Sequence, residues 1–178
     1  MPSAISEFDE AYDDQGREPP SLSGEALDYP IRVLEPRDAV LVPASASVSA
    51  VVSVLNDRKA GCVLVMAGDK LVGIFTDRDI VRRVLPAGLP LDQAKVEDYM
   101  TRDPEVLTLD DPIVFALNRM SAGDCRHVPL VDDSGKPLAV VSVRDVVHFV
   151  VEHFAGSVQN LPPTPSGRSS GYPPHGAA

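Results

Sequence analysis

Thr76 and Asp79, and again Ser142 and Asp145, set a hydroxyl and a carboxylate three residues apart where a strand gives way to a helix. A helix start offers free backbone N–H groups and partial positive charge, which suits a phosphate. The hydroxyl can donate to a phosphate oxygen, and the adjacent Arg78 or Arg144 can add charge for a polyphosphate. An ionised Asp only accepts hydrogen bonds, so it repels phosphate but suits a ribose diol with two O–H donors. The pair therefore fits a nucleoside phosphate, with an aliphatic wall on the preceding strand for the base. The same spacing also serves structure alone. A Ser/Thr N-cap with its partner three residues on resembles a capping box, although that box prefers Glu or Gln at the later place. The two readings are compatible, because a capping pair can also meet a ligand.

The elements that must position these residues are duplicated. Gly73-Ile74-Phe75-Thr76-Asp77-Arg78-Asp79 returns as Ala139-Val140-Val141-Ser142-Val143-Arg144-Asp145, 66 residues later. The same offset matches Val48 with Val114, Ala50 with Ala116, Val65 with Val131 and Lys70 with Lys136. A gapless duplication predicts two copies of one unit about a pseudo-two-fold axis, with the function in a cleft between them. Each copy reads strand, helix, strand, strand, helix. Val48, Val51, Val52 and Leu55 make the stripe of an amphipathic helix, as do Ile113, Ala116, Leu117 and Met120. The runs 62–66 and 127–131 are short and apolar, and each is followed by a turn signal and a second strand, which predicts two hairpins. The helices after the motifs show apolar faces of Ile80, Val81, Val84 and Leu85, and of Val146, Val147, Val150 and Val151.

The expected organisation is a disordered acidic tail over 1–29, a first unit over 30–88, a linker over 89–95, a second unit over 96–153 and a Pro/Gly/Ser-rich tail over 154–178. The formal net charge is −10, and eight acids against one base fall within residues 1–28. The body is thus near neutral and lacks the basic footprint of nucleic-acid binding. No apolar run approaches the ~20 residues of a membrane span, and Met1-Pro2-Ser3-Ala4 does not open a secretory signal. A soluble, cytoplasmic protein is the expectation. Cys62 and Cys125 make neither a disulfide framework nor a zinc site, and a redox pair between them would need their distance. His148 and His153 do not share a helical face, so no metal site is expected.

The duplicated motifs, the Val-Pro-Leu-Val-Asp strand at 128–132 and the opening Tyr99-Met100-Thr101-Arg102-Asp103-Pro104 together resemble a tandem pair of CBS domains, a Bateman module, over about 30–151. The resemblance implies an α/β fold of two β-α-β-β-α units packed through their sheets, often as a homodimer. It also implies an adenine nucleotide (AMP, ADP, ATP or S-adenosylmethionine) in the cleft, as a regulatory ligand and not a cofactor. Carried over residue by residue, the first site would use Asp79, Thr76, Arg78 and Ile74, with Gly61 and Cys62, and would borrow Asp111 and Ala116. The second would use Asp145, Ser142, Arg144 and Val140, with Arg126 and His127, and would borrow Ser45, Ala50 and Ala60. The second site is expected to bind better, because Arg126-His127 stands where the first copy has Ala60-Gly61 and Arg126 can neutralise phosphate. The function expected is a stand-alone, non-catalytic sensor of cellular energy state acting on an unknown protein partner. The alternative is a ligand-free scaffold or interaction protein with a redox response through Cys62 and Cys125. No nucleotide-binding glycine loop, nucleophile elbow or zinc-helix motif supports an enzyme.

Overall fold

The computed structural model describes residues 27–153, except residue 124. The first copy contains β2 (Leu41–Pro43), α1 (Val48–Arg58), β3 (Cys62–Ala67) and β4 (Lys70–Thr76). Its last helix, α2, starts as Asp77–Asp79, widens into a π turn at Ile80–Val84 and closes at Leu85–Ala87. The second copy contains α4 (Ile113–Ala122), β6 (His127–Val131), β7 (Pro137–Ser142) and α5 (Val143–His153). The counterpart of β2 is reduced to a single parallel bridge, Leu107 to Leu130. Two short strands open the copies, β1 (Arg37–Asp38) and β5 (Thr101–Arg102), the latter preceded by α3 (Val96–Tyr99).

The runs read as fully apolar strands are buried on both faces. On β3, Val63 and Val65 face the helices of the first copy, while Cys62 and Leu64 face the other sheet. Cys62, Leu64 and Ile74 are buried together, with Ala39, Leu71 and Val140 packed against them. Ile74 and Val140 are equivalent by repeat, so the two sheets meet across the pseudo-axis, as expected. Burying a side chain such as Leu64 contributes roughly 1.5–3 kcal/mol. No described helix is long and apolar enough to cross a membrane.

Each copy gives its opening segment to the other. In the four-stranded sheet the order is β2-β3-β4-β5, and in the three-stranded sheet it is β1-β7-β6. Thus β5 pairs with β4 of the first copy and β1 with β7 of the second. Ile31 and Leu34 lie in the core of the second copy with Ile113, Leu130 and Phe149, while Ala94, Val96 and Met100 lie in that of the first. The expected boundaries near 30 and 96 therefore divide the sequence but not the packing. Leu27 and Tyr29, assigned to a disordered tail, pack on the second core, Tyr29 edge-on to Phe149 at 6.3 Å. The expectations for residues 1–26 and 154–178 lie outside the described residues.

The constant offset of 66 also needs correction. Val48 and Ile113 both open their helices, and the buried set Val48, Val51, Leu55 matches Ile113, Ala116, Met120, an offset of 65. The exchanged segments agree, since Val48 N donates to Ala94 O where Ile113 N donates to Tyr29 O. Cys62 stands opposite Thr76 where His127 stands opposite Ser142, so Cys62 matches His127. One extra residue in the second hairpin turn restores 66. There Asp132 accepts from Ser134 N and Lys136 N at 2.9 and 3.0 Å, and Gly135 supplies a φ of 82°. The Ser134 hydroxyl, which donates to Asp132 at 2.6 Å, and then the Lys136 N–H hold the Asp132 carboxyl below its ordinary range.

The late helices bury narrower faces than expected. Val84 is buried, but Val81 and Leu85 are 64% and 58% exposed on a helix that widens into a π turn at Ile80–Val84. On α5 the buried pair is Val146 and Phe149, and Val147 is 54% exposed.

Candidate functional site

Both motifs form the same device. Thr76 N and Thr76 Oγ1 donate to Asp79 Oδ2 at 2.9 and 2.7 Å, and Asp79 N donates back to Thr76 Oγ1 at 3.3 Å. Ser142 N and Oγ donate to Asp145 Oδ2 at 2.7 and 2.8 Å, and Asp145 N returns to Ser142 Oγ at 3.4 Å. The capping box is thus real, with Asp in the later place. The hydroxyl is committed to the carboxylate and does not point its proton at a phosphate. One oxygen of each carboxylate does the capping. The other remains for a partner, and Asp79 Oδ1 has Arg83 at 3.4 Å.

Two clefts open over these caps, and both copies build each one. The first, about 470 Å³, lies over Thr76 and Asp79 and is walled by Ile74, the 101–105 segment and the 125–129 segment. The second, about 600 Å³, lies over Ser142 and Asp145 and is walled by Val140, Arg37, Asp38, Val40 and the 59–62 segment. The strand exchange creates this arrangement, because β5 lines the first cleft and β1 the second. Arg126 and His127 stand on the partition and line both. Arg126 Nη2 bonds Asp77 Oδ1 at 3.0 Å across the copies. The His127 ring lies over Gly61, where a Cβ would come within 2.7 Å of Nε2. Glycine is therefore required at 61 for the ring to keep its place.

The family follows from comparison with known proteins. The CBS-domain profile matches residues 34–86 and 96–152. The chain belongs to the CBS-domain family. CBS domain-containing protein CBSCBSPB1 of Arabidopsis thaliana is 38% identical over 124 residues, covering 70% of this chain and 21% of that protein. The chain thus spans about a fifth to a quarter of the length of its first curated relatives. A CBS-domain protein of Agrobacterium tumefaciens shares the fold at a TM-score of 0.61 and 28% identity, over 67% of this chain and 97% of that one. A CBS domain protein of Pyrobaculum aerophilum, complexed with AMP, has a TM-score of 0.62 at 24% identity, over 71% and 98%.

Within this CBS pair, Asp79, Thr76, Arg78 and Ile74 come together in the first cleft, and Asp145, Ser142, Arg144, Val140 and Ala60 in the second. Gly61 and Cys62, expected in the first, line the second, because β3 faces the opposite sheet. Asp111 and Ala116 line neither. Asp111 caps its own turn, accepting from Thr108 N and Oγ1 at 2.6 and 3.0 Å, and Ala116 is fully buried in the helix core. Ser45 and Ala50 also line neither cleft and are exposed, one before α1 and the other in its first turn. The ground for favouring the second site disappears, since Arg126 serves both clefts. Arg82, Arg83, Arg102 and Arg119 in the first, and Arg37, Lys59 and Asp77 in the second, were not assigned from sequence. Arg82 and Arg83 stand three and four residues after Asp79, and Arg102 lies in the quoted opening motif, so a signal existed for these three.

The cysteines lie in different clefts, Cys62 in the second and Cys125 in the first, and neither is in a disulfide. Burial, and then Asp77, push the Cys62 thiol up to about 12, so it carries no thiolate at neutral pH. Cys125 Sγ donates to Arg119 O at 3.4 Å. Nothing in this placement favours a redox pair.

Burial lowers the His127 pKa, helped by Arg126 and Arg78 and opposed by Asp77 and Asp145. A His held below its ordinary value loses stability as pH falls, because the unfolded chain takes the proton more readily. Stability should therefore be full above about pH 6.5 and decline below it. Urea titrations between pH 7.5 and 5 should show this slope in the wild type and a shallower one in His127→Asn. Equal slopes would remove His127 from the account.

Proposed function

We propose that this CBS pair is a non-catalytic regulatory module that binds an adenine nucleotide (AMP, ADP, ATP or S-adenosylmethionine) in its clefts and answers by conformational or oligomeric change. The observation that carries the reading is that each cleft combines a capped carboxylate from one copy with walls from the other. A nucleotide seated there would place its ribose diol on Oδ1 of Asp145, or on Oδ1 of Asp79 beside Arg83, and its base against Ile74 or Val140. The AMP of the Pyrobaculum aerophilum protein, and the S-adenosylmethionine and methylthioadenosine of another fold neighbour, support this choice of ligand class.

Regulation would be linkage. A ligand that touches both copies prefers the arrangement in which both touch it, and it shifts the population by that difference in affinity. Coupling of ~1–3 kcal/mol would change a partner's affinity roughly 5–150-fold. We assign the meeting of two chains to the equivalent exposed residues Val81 and Val147, with Leu85 beside the first. This reading places the module in the cytoplasm as a sensor of energy state. The test is light scattering and hydrogen exchange on the full chain, with and without each nucleotide. Slower exchange in β1, β5 and the helix starts on nucleotide addition, or a change in mass, supports the reading. Unchanged exchange with every nucleotide contradicts it.

A further inference from the structure

The two clefts are equivalent by repeat but not by charge. Six arginines line the first, Arg78, Arg82, Arg83, Arg102, Arg119 and Arg126, against the three carboxylates of Asp79, Asp103 and Glu105. The second holds four bases, Arg37, Lys59, Arg126 and Arg144, against three carboxylates of Asp38, Asp77 and Asp145. Resting on the nucleotide reading above, we infer that the Thr76–Asp79 cleft is a polyphosphate site that selects di- and triphosphates over a monophosphate, while the Ser142–Asp145 cleft takes a ligand of lower charge.

Arg102 Nη2 donates to Glu97 O at 2.8 Å, and a carbonyl positions a guanidinium without neutralising it. Arg83 Nη1 donates to Tyr99 O at 2.9 Å beside its 3.4 Å approach to Asp79, and Arg126 is paired with Asp77 at 3.0 Å. Arg119 Nε lies 2.8 Å from a Glu105 carboxylate oxygen, an ion pair that holds this guanidinium at the cleft. The six guanidinia come from α2, β5, α4 and the approach to β6, so they surround the cleft and do not form a single stripe. Guanidinium forks bind phosphate oxygens bidentately, and each added phosphate brings further negative charge for them to meet. A monophosphate, at about −1.5 to −2, meets only part of this excess, whereas a diphosphate or triphosphate can meet all of it.

The experiment is calorimetry on the full chain carrying Asp145→Ala, at low salt and without magnesium, with AMP, ATP and inorganic tripolyphosphate as titrants. ATP should bind at least about tenfold tighter than AMP, since two further phosphates gain charged hydrogen bonds. Adding Arg82→Gln and Arg119→Gln should erase that preference, ATP losing at least about tenfold more than AMP, while Arg58→Gln, exposed and outside both clefts, should leave it intact. If the double change does not fold, Arg82→Gln alone should show part of the loss. Equal affinities for AMP and ATP would overturn the inference while leaving the nucleotide reading intact. Equal losses for AMP and ATP in the arginine variant would also overturn it. Tripolyphosphate binding as well as ATP, with AMP silent, would uphold the arginine cradle and defeat the adenosine reading.

Discussion

Replacing Asp79 and Asp145 together by alanine should remove adenine-nucleotide binding, with an affinity loss of about 100-fold or more at each cleft. Two hydrogen bonds from a diol to a carboxylate contribute roughly 1.5–3 kcal/mol each, which sets that scale. The same change breaks two capping boxes, because each carboxylate accepts from both the backbone N–H and the hydroxyl of its partner. Loss of a cap costs about 0.5–2 kcal/mol, so thermal melts should fall as well. The Asp→Asn variants separate the two effects. An amide oxygen can still accept from the Thr76 or Ser142 backbone, and most of the stability should return. The charge does not return, and binding should stay weak in calorimetry. Full binding in the Asn variants would show that the carboxylates only cap.

Ile31→Ala should destabilise the protein by about 2–5 kcal/mol, the range for a large aliphatic side chain lost from a packed core. Ile31 is fully buried, and the core it fills belongs to the second copy. Its backbone N–H donates to Asp111 O at 2.8 Å, just before α4. Hydrogen exchange should therefore quicken first in β6, β7 and α5, while β3 and β4 keep their protection. Val96→Ala, the equivalent change, should quicken exchange in the first copy instead, since Val96 packs against Phe75 and Val84. Quickened exchange in β3 and β4 after Ile31→Ala would contradict the exchange of segments.

The sequence made the two units, the hairpins and the motif caps legible, because period-two and helical stripes and turn residues act locally. The exchange of opening segments was not legible. Arg37-Asp38 and Thr101-Arg102 are two-residue strands whose pairing partners lie across the pseudo-axis, and nothing local specifies which sheet they join. That single fact put Thr101–Glu105 into the first cleft and Arg37–Asp38 into the second, while Gly61 and Cys62 line the second because β3 turns that face to the other sheet. The one-residue slip was hidden because the extra residue in the 132–136 turn falls between two well-matched stretches. Asp111 and Ala116 misled for a different reason. Their types suit a ligand wall, but Asp111 is taken up by Thr108 and Ala116 by the helix core. On α5 the stripe of valines concealed Phe149, which fills the core while Val147 stays exposed.

Isothermal titration calorimetry of the wild-type chain with AMP, ADP, ATP and S-adenosylmethionine decides whether both clefts hold an adenine nucleotide. Saturable heat is expected with at least one of them, with Asp79→Ala and Asp145→Ala each removing one class of site. No heat with any of the four, together with no rise in melting temperature, would contradict it and leave the paired carboxylates as helix caps.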